Sequence, residues 1–216
     1  MLDTVVFLGP SLPADRARQI LEADYRPPAR RGDIYQAAEA GAKVICLIDG
    51  VFFQDCSVAH KEVLYALGRG CRVLGASSMG ALRAAELDVY GMEGVGEIYM
   101  AYKRGDLVSD DEVALIFDPY TLEPLSEPLV NIRYNLKIAR ARGLIEGRTE
   151  ELLLEIASHL YFPNRSYKKI AELAEGLLPY GELQSLEAFL ESERRDLKME
   201  DAMLALRRTR EVRDEG

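Results

Sequence analysis

Histidine and cysteine are scarce in this chain, and their scarcity limits the chemistry that it can carry. The 216 residues include two histidines, His60 and His159, and three cysteines, Cys46, Cys56 and Cys71. An odd number of cysteines without a close pair excludes a disulfide framework. No CxxC, HxxxH or HExxH spacing is present, so we expect neither a metal site nor another cofactor. Any imidazole chemistry must use one of only two side chains.

Long apolar runs and an excess of basic residues are also missing. No apolar stretch approaches the ~20 residues that a membrane-spanning helix needs, and no signal-peptide pattern precedes the first strand-like segment. Acidic residues number 36 against 27 basic ones, which gives a formal net charge of -9. That balance argues against a protein whose main task is to bind nucleic acid or anionic lipid. We therefore expect a cytoplasmic protein with no nucleic-acid partner and no membrane partner.

The first part of the chain alternates short apolar runs with helical patterns. Strands are predicted at Val5–Leu8, Lys43–Ile48 and Cys71–Gly75, with helices between them. Such alternation predicts βαβ units, and hence an α/β fold with a small, mostly parallel sheet and flanking helices, a Rossmann-like three-layer core. A hairpin is predicted with arms at Val113–Phe117 and Thr121–Leu125.

The remainder of the chain carries helical patterns only. Helices are predicted over 129–142, 148–161, 166–177, 182–193 and 199–212. The change of pattern predicts an α/β core domain over residues 1–126 and an all-helical C-terminal domain over residues 127–216. Arg133, Lys137 and Arg140 share one helix face there. That spacing is typical of a solvated face, and a dock for an acidic partner is the alternative.

The predicted strands end in small or polar residues, and the carboxyl ends of parallel strands meet at one edge of a sheet. These ends are Gly9-Pro10-Ser11, Asp49-Gly50 and Gly75-Ala76-Ser77-Ser78-Met79-Gly80. The last one contains a G-x-S-x-G pattern, with Ala at the first position, between a strand and a helix. It indicates Ser78 as a nucleophile, with the Met79 N–H as oxyanion donor. The alternatives are a small-residue turn that packs a helix tightly on a sheet, and an anion-binding loop.

A serine nucleophile needs a base, and His60 is the better placed of the two histidines. We predict it in the first turn of a helix capped by Ser57, where backbone donors favour a neutral imidazole. Asp49 is the candidate to orient that imidazole, with Glu86 and Glu93 left open as alternatives, and Ser78, His60 and Asp49 form the predicted catalytic set. A surface histidine and an Asp-Gly turn are the alternatives for the last two.

Further side chains are candidates to bind an anionic substrate at these strand ends. Arg83 is the charged residue in an otherwise small and apolar run, so it either extends outward to solvent or reaches a buried carboxylate or an anionic substrate, and Glu86 lies within helical reach of it. Arg31 belongs to a proline-stiffened basic loop that we expect at the rim, and a rigid connector is the alternative for this loop. The predicted substrate-binding set comprises Ser11, Arg31, Ser77, Met79, Arg83 and Glu86.

Several segments of the sequence also carry a resemblance to a known family. They are Val5–Leu12, Arg26–Pro28, Arg31–Ile34, Ile48–Phe52 and Gly75–Leu87, continued at Gly91–Gly96 and Asp110–Ala114. Together they resemble the TfuA-like family. The α/β part carries the likeness, and the helical part is similar to the longer family members more loosely.

The resemblance implies a role beside YcaO enzymes, which use ATP to activate the amide oxygen when a peptide backbone is thioamidated. It implies that the protein helps to provide sulfide by hydrolysing the thiocarboxylated C-terminus of a ThiS-like, ubiquitin-fold sulfur carrier. The expected partners are therefore a YcaO-type enzyme and that carrier, and a homo-oligomer is left open. The alternative is a non-catalytic adaptor that docks the carrier, the substrate peptide or both onto YcaO. A persulfide relay through Cys56 is a third hypothesis.

Overall fold

The computed structural model describes residues 3–52 and 56–215. Its contacts divide the chain into two compact units, Met1–Asp110 together with Lys198–Gly216, and Asp111–Leu197. We call the first the α/β unit and the second the helical unit. The chain is thus divided at other points than the predicted boundary at residue 126, and the last helix belongs to the α/β unit.

The α/β unit is built on one sheet. Its strands are β1 (Thr4–Phe7), β2 (Asp24–Arg26), β3 (Val44–Leu47), β4 (Arg72–Ala76) and β5 (Glu93–Val95). Within the described residues all neighbouring strands are parallel, in the order β2-β1-β3-β4-β5. The predicted α/β class is therefore confirmed. The strand order reverses between β1 and β3, and open α/β sheets bind ligands outside the carboxyl ends at such a point.

Ten α-helices lie in the described residues, and none of these is both long and apolar enough to cross a membrane. They are α1 (Ala14–Ile20), α2 (Asp33–Glu39), α3 (His60–Gly68), α4 (Met79–Leu87), α5 (Glu97–Arg104), α6 (Leu129–Ala141), α7 (Gly147–His159), α8 (Tyr167–Ala174), α9 (Tyr180–Glu193) and α10 (Leu197–Asp214). The predicted helical C-terminal region is confirmed.

Alternate strand residues form two apolar layers, one on each face of the sheet. One layer, with α2, α3 and α4, contains Val5, Phe7, Ile45, Leu47 and Val73. The other layer contains Val6, Val44, Cys46, Leu74 and Ala76. α10 contributes Ala202, Ala205 and Leu206 to this second layer, at the spacing of one helix face. The last helix therefore packs with the sheet because its apolar stripe covers that face.

The predicted strands are confirmed to within one residue at each end, but the prediction missed β2 and β5. Each has three residues and lies at an edge of the sheet, and most of these residues are only partly buried. An apolar run is the signal for a buried strand, and a short, half-exposed edge strand does not produce one. The helix α5, which follows β5, was missed with it.

The predicted hairpin around Asp118 does not form as two paired strands, which corrects the prediction. Its two arms make a single antiparallel bridge, between Phe117 and Pro124, and neither arm is a strand. Asp118 does form the turn, because its side chain accepts hydrogen bonds from the N–H groups of Tyr120 and Thr121. The pairing extends by one hydrogen bond beyond Pro124 and ends because the Ile116 N–H donates to a side chain, the Ser126 hydroxyl.

In the helical unit, two of the three basic residues predicted on one helix face form ion pairs. The guanidinium of Arg133 forms an ion pair with Glu112 at 2.9 Å, and Arg140 pairs with Glu150 at 2.9 Å. Lys137 is exposed. Two of the three positive charges thus have carboxylate partners inside the unit, which favours the solvated-face interpretation over a dock for an acidic partner.

Candidate functional site

The carboxyl ends of β1 and β3 are held together by Asp49. Its carboxylate accepts hydrogen bonds from the Gly9 N–H (2.8 Å), the Ser11 N–H (3.2 Å) and the Ser11 hydroxyl (2.7 Å). Asp49 and Ser11 are each only 2% exposed. Both carboxylate oxygens are therefore committed to the β1 end, and Asp49 acts there as a clamp between the two strands.

A loop from Pro28 to Arg31 lies on these strand ends. The Ala29 N–H donates to the Asp49 carbonyl at 2.9 Å, and the Val51 N–H donates to the Ala29 carbonyl at 3.0 Å. Pro28 packs on Gly9 so closely that a Cβ at Gly9 would lie 2.5 Å from Pro28 Cγ. The glycine at the end of β1 is thus required by the loop above it. Arg31, the predicted anion-binding residue of this loop, is exposed.

The turn from β4 into α4 is tight and strained. The Ser78 N–H donates to the Ala76 carbonyl at 2.7 Å, which closes a three-residue turn around Ser77. Ser77 has a φ of 65°, and Ser78 has φ -116° and ψ -129°. The φ of Ser77 lies in the left-handed region, which residues other than glycine rarely adopt. The turn therefore has the sharpness that the G-x-S-x-G pattern predicts.

The glycine of this turn serves packing. The Gly80 N–H donates to the Ile48 carbonyl at 3.2 Å, and a Cβ at Gly80 would overlap the Leu47 carbonyl. Only a residue without a side chain lets the start of α4 approach the end of β3 in this way. The glycine of the motif is thus explained by helix–sheet contact, as in the small-residue alternative, whether or not the serines are reactive.

The hydroxyl groups of the two serines in the turn differ in their hydrogen bonds. The Ser77 hydroxyl is fully buried and donates to the Lys198 carbonyl of α10 at 2.8 Å. The Ser78 hydroxyl makes no hydrogen bond within residues 3–52 and 56–215, although the residue is only 2% exposed. Ser77 is therefore the fixed hydroxyl, and Ser78 is the one that can act on a ligand.

A backbone donor lies next to the Ser78 hydroxyl. The first four N–H groups of a helix have no partner inside it. In α4, Gly80 donates to the Ile48 carbonyl, and Ala81 and Leu82 donate to the Ser78 carbonyl. The Met79 N–H remains without an acceptor in the described part of the chain. At a helix start, such a donor suits a developing negative charge.

His60 lies at the start of α3, as its first residue. Ser57 is not the cap of this helix, which corrects the prediction. Ala59 occupies the cap position, and the Glu62 carboxylate accepts the Ala59 N–H at 2.7 Å. The His60 imidazole is half-exposed, and its Nε2 lies 2.8 Å from Glu86 Oε2. The carboxylate that orients His60 is therefore Glu86.

Glu86 also receives the guanidinium of Arg83, and Arg83 Nε donates to the Val58 carbonyl at 2.9 Å. Arg83 thus connects α4 with the segment that leads into α3. An anionic substrate at Arg83 has to compete with Glu86, because that carboxylate already holds the guanidinium.

The predicted catalytic set is not joined by hydrogen bonds. In the described residues, none connects Ser78 with His60 or His60 with Asp49, since His60 pairs with Glu86 and Asp49 pairs with Ser11. All three belong to the α/β unit. The arrangement offers an uncommitted hydroxyl with a backbone donor at one end of α4, and an imidazole–carboxylate pair nearer its other end. The catalytic roles stay predictions.

Sequence reasoning missed two carboxylates that hold the surrounding loops. Glu62 accepts the N–H groups of Gly32 at 2.9 Å and Ile34 at 3.2 Å, besides that of Ala59. Its position in the first turn of a helix is a signal that identifies it as a capping acid. Asp201 accepts the N–H groups of Glu97 and Ile98 at the start of α5, and burial raises its pKa to about 6. No local signal reveals a partner more than a hundred residues away.

Comparison with known proteins places this geometry in a family. No curated protein matches the chain. A family model described as TfuA-like protein matches residues 49–166, which is more than half of the chain. The matched span begins at the clamp residue Asp49 and includes His60, both serines of the β4–α4 turn, and Glu86. The chain belongs to the TfuA-like family.

Proposed function

We propose that this protein is the accessory partner of a YcaO enzyme in peptide-backbone thioamidation, and that it supplies sulfide by hydrolysing a thiocarboxylated, ThiS-like sulfur carrier. Membership of the TfuA-like family is compatible with a YcaO-associated role in thioamide formation. The observation that carries the hydrolytic part is the uncommitted Ser78 hydroxyl beside the uncommitted Met79 N–H at a strained turn. A nucleophile and an oxyanion donor require this arrangement.

The first step is an acyl transfer to Ser78. Its Oγ attacks the carbon of the thiocarboxylate, so that a C–O bond forms and the C–S bond breaks. The serine proton passes to the sulfur, which leaves as HS⁻, and the carrier remains as an ester on Ser78. The Met79 N–H donates to the carbonyl oxygen while that oxygen carries negative charge. Because the substrate's own sulfur accepts the proton, this step needs no hydrogen bond between Ser78 and His60.

The second step releases the carrier. Water attacks the ester, the bond to Ser78 Oγ breaks, and the products are a carrier carboxylate, the restored serine hydroxyl and one proton. His60 is the candidate acceptor of that proton, oriented by Glu86, and HS⁻ takes it up as H₂S. The sum is thiocarboxylate plus water giving carboxylate plus H₂S, with atoms and charge balanced. No oxidant or reductant is consumed.

The experiment follows sulfide release from a thiocarboxylated carrier, by the change in carrier mass, with the purified full-length protein. We expect Ser78→Ala to lower the rate by at least about a thousandfold, because the nucleophile is gone. Ser77→Ala is the matched control: although the sequence predicts Ser77 to bind substrate, its buried hydroxyl donates to the Lys198 carbonyl. We expect its folded fraction to release sulfide at nearly the wild-type rate. A normal rate in Ser78→Ala would refute the mechanism.

His60 and Glu86 are tested in the same assay by glutamine substitutions. If His60 accepts the proton of the second step, His60→Gln slows release by about 10²-fold or more, and the ester on Ser78 accumulates. Glu86→Gln weakens the orientation of His60, so we expect a smaller loss. Rapid turnover by His60→Gln, without an accumulated ester, would remove His60 from the mechanism.

A second candidate is the non-catalytic adaptor, which docks the carrier, the substrate peptide or both onto YcaO. It is favoured by the absence of hydrogen bonds among Ser78, His60 and Asp49 in the described residues. In that case the isolated protein binds the carrier without releasing sulfide. Carrier binding by the wild-type protein without any release of sulfide separates this candidate from the hydrolase.

A further inference from the structure

An apolar groove crosses the helical unit. Its volume is about 990 Å³, and its lining comes from α6, α7, α8 and α9. The floor is formed by aliphatic side chains, among which Ile132, Leu136 and Ile170 are buried, while Leu183 and Leu190 are half-buried on α9. All these residues belong to the helical unit, so the groove is a feature of that unit alone.

The rim of the groove is acidic. Three carboxylates that line it make no ion pair within the described residues, namely those of Glu175, Glu187 and Glu191. Among the lining cations, one is unpaired there, Lys168. The other charged lining residues are Glu172, which pairs with Lys169, and Arg194, which pairs with Glu127. All three unpaired carboxylates are exposed. The groove therefore combines an apolar floor with an excess of uncommitted negative charge.

We propose that this groove binds a basic amphipathic helix of a partner protein. A helix lying in a groove anchors apolar side chains at positions i, i+3 or i+4, and i+7. That stripe spans ~10 Å, and α9, with its 14 residues, extends for ~21 Å along the groove. The apolar stripe faces the floor, and the lysines or arginines beside it face Glu187 and Glu191.

The arrangement of the acidic residues favours a basic partner over an acidic or a neutral one. Glu187 and Glu191 lie one helical turn apart on α9, and like charges at this spacing repel each other. A cation between them relieves this repulsion, and a carboxylate adds to it. The proposal does not depend on the chemistry at Ser78, so either can fail without the other.

The probe is a synthetic helical peptide of about 18 residues, long enough to be helical when bound. It carries leucines at i, i+4, i+7 and i+11, and lysines at its remaining polar positions. An acidic peptide with glutamates in place of the lysines and a basic peptide with the leucines scrambled are the comparisons. Affinity for the full-length protein is measured by fluorescence anisotropy.

The variants distinguish binding of the peptide in the groove from an unspecific attraction to the negative charge of the whole protein. Glu187→Lys with Glu191→Lys reverses the rim. The matched control is Glu151→Lys with Glu155→Lys, an exposed pair at the same spacing on α7 that does not line the groove. We expect the rim reversal to weaken the basic peptide by at least about tenfold. The control should stay within about twofold of wild type.

The proposal is supported if the basic amphipathic peptide binds best and only the rim reversal weakens it, with folding verified by circular dichroism. It is overturned if the scrambled or the acidic peptide binds equally well, or if the control reversal weakens binding as much as the rim reversal. It is also overturned if no peptide binds and the rim reversal instead changes a concentration-dependent mass, since the occupant is then a second copy of this chain.

Discussion

The carboxylates at the carboxyl edge of the sheet and those along the groove of the helical unit differ in burial and in hydrogen bonding. At the sheet edge, Asp49, Glu62 and Asp201 are buried, and each accepts hydrogen bonds from at least two backbone N–H groups. Along the groove, Glu187 and Glu191 are exposed and have no cationic partner in the described residues.

The difference indicates two uses of negative charge. A buried carboxylate that accepts backbone N–H groups fixes the loops around it, so its removal leaves donors unsatisfied and reduces stability. An exposed and unpaired carboxylate contributes little to stability and remains available to a partner. Substitutions in the α/β unit should therefore change the free energy of unfolding, and equivalent substitutions along the groove should not.

The largest effect is expected at the contact between α4 and β3. Gly80→Ala places a Cβ against the Leu47 carbonyl, and backbone cannot move aside cheaply. We expect a loss of about 5 kcal/mol in the free energy of unfolding, measured with urea. Gly181→Ala in α9 is the control, because no atom outside the neighbouring backbone of its own helix lies within 4 Å of the added Cβ. It should stabilise the protein by up to about 0.5 kcal/mol, and equal losses in both variants would contradict the packing argument.

The second-largest loss of stability is expected when the Asp49 carboxylate, which links the carboxyl ends of β1 and β3, is removed. Asp49→Ala leaves three donors, on Gly9 and Ser11, without their acceptor in a buried place. We expect a loss of about 4 kcal/mol in the free energy of unfolding. Glu187→Ala, the matched removal of an unpaired carboxylate, should change it by less than about 0.5 kcal/mol. A small effect at Asp49 would show that water replaces the carboxylate at no cost.

The pH dependence of stability tests Asp201. Burial raises its pKa from 3.8 to about 6, although the N–H groups of Glu97 and Ile98 act in the opposite direction. The folded state therefore binds the proton more tightly, and this contribution to stability is complete below the ordinary pKa and is lost as the pH rises through about 6. We expect the free energy of unfolding of wild type, minus that of Asp201→Asn, to fall by about 3 kcal/mol between about pH 4 and about pH 7. A difference that rises over this interval would mean that the backbone donors outweigh burial.

The smallest change in the free energy of unfolding is expected for alanine substitutions at the two serines of the β4–α4 turn. Ser77→Ala removes the hydrogen bond to the Lys198 carbonyl and leaves that buried oxygen with one partner fewer. We expect a loss of about 1 kcal/mol. Ser78→Ala removes a hydroxyl without a partner in the described residues, so the change should stay within about 0.5 kcal/mol. Thermal unfolding of the two variants measures both, and the reverse order would contradict the assignment of roles.

Much of the fold could be predicted because buried strands and amphipathic helices leave periodic signals. The strands β1, β3 and β4 and the helices α6 to α10 follow such signals closely. The edge strands β2 and β5 could not be found in this way, since three half-exposed residues carry no period. The hairpin was predicted from apolar residues on both arms, but the Ile116 N–H donates to the Ser126 hydroxyl, and the arms form a single antiparallel bridge in the described residues.

The candidate site was predictable in its location but not in its pairings. The rule for parallel sheets identified the strand ends, and the structure brings Ser11, Asp49 and Ser78 to one edge. The pairing of His60 with Glu86 depends on how α3 and α4 lie side by side. Sequence spacing carries no information on that, because the two residues come from different helices.

The sequence by itself determined the α/β class, the order of its main elements, the convergence of small and polar residues at the strand ends, and the family. These follow from local periodicity and from short motifs, which need no knowledge of distant contacts. Only the tertiary structure decided that α10 completes the core of the sheet, that Ser77 is committed while Ser78 is not, and that Asp201 caps α5. These contacts join residues about a hundred positions apart, and only the folded chain brings them within hydrogen-bond distance.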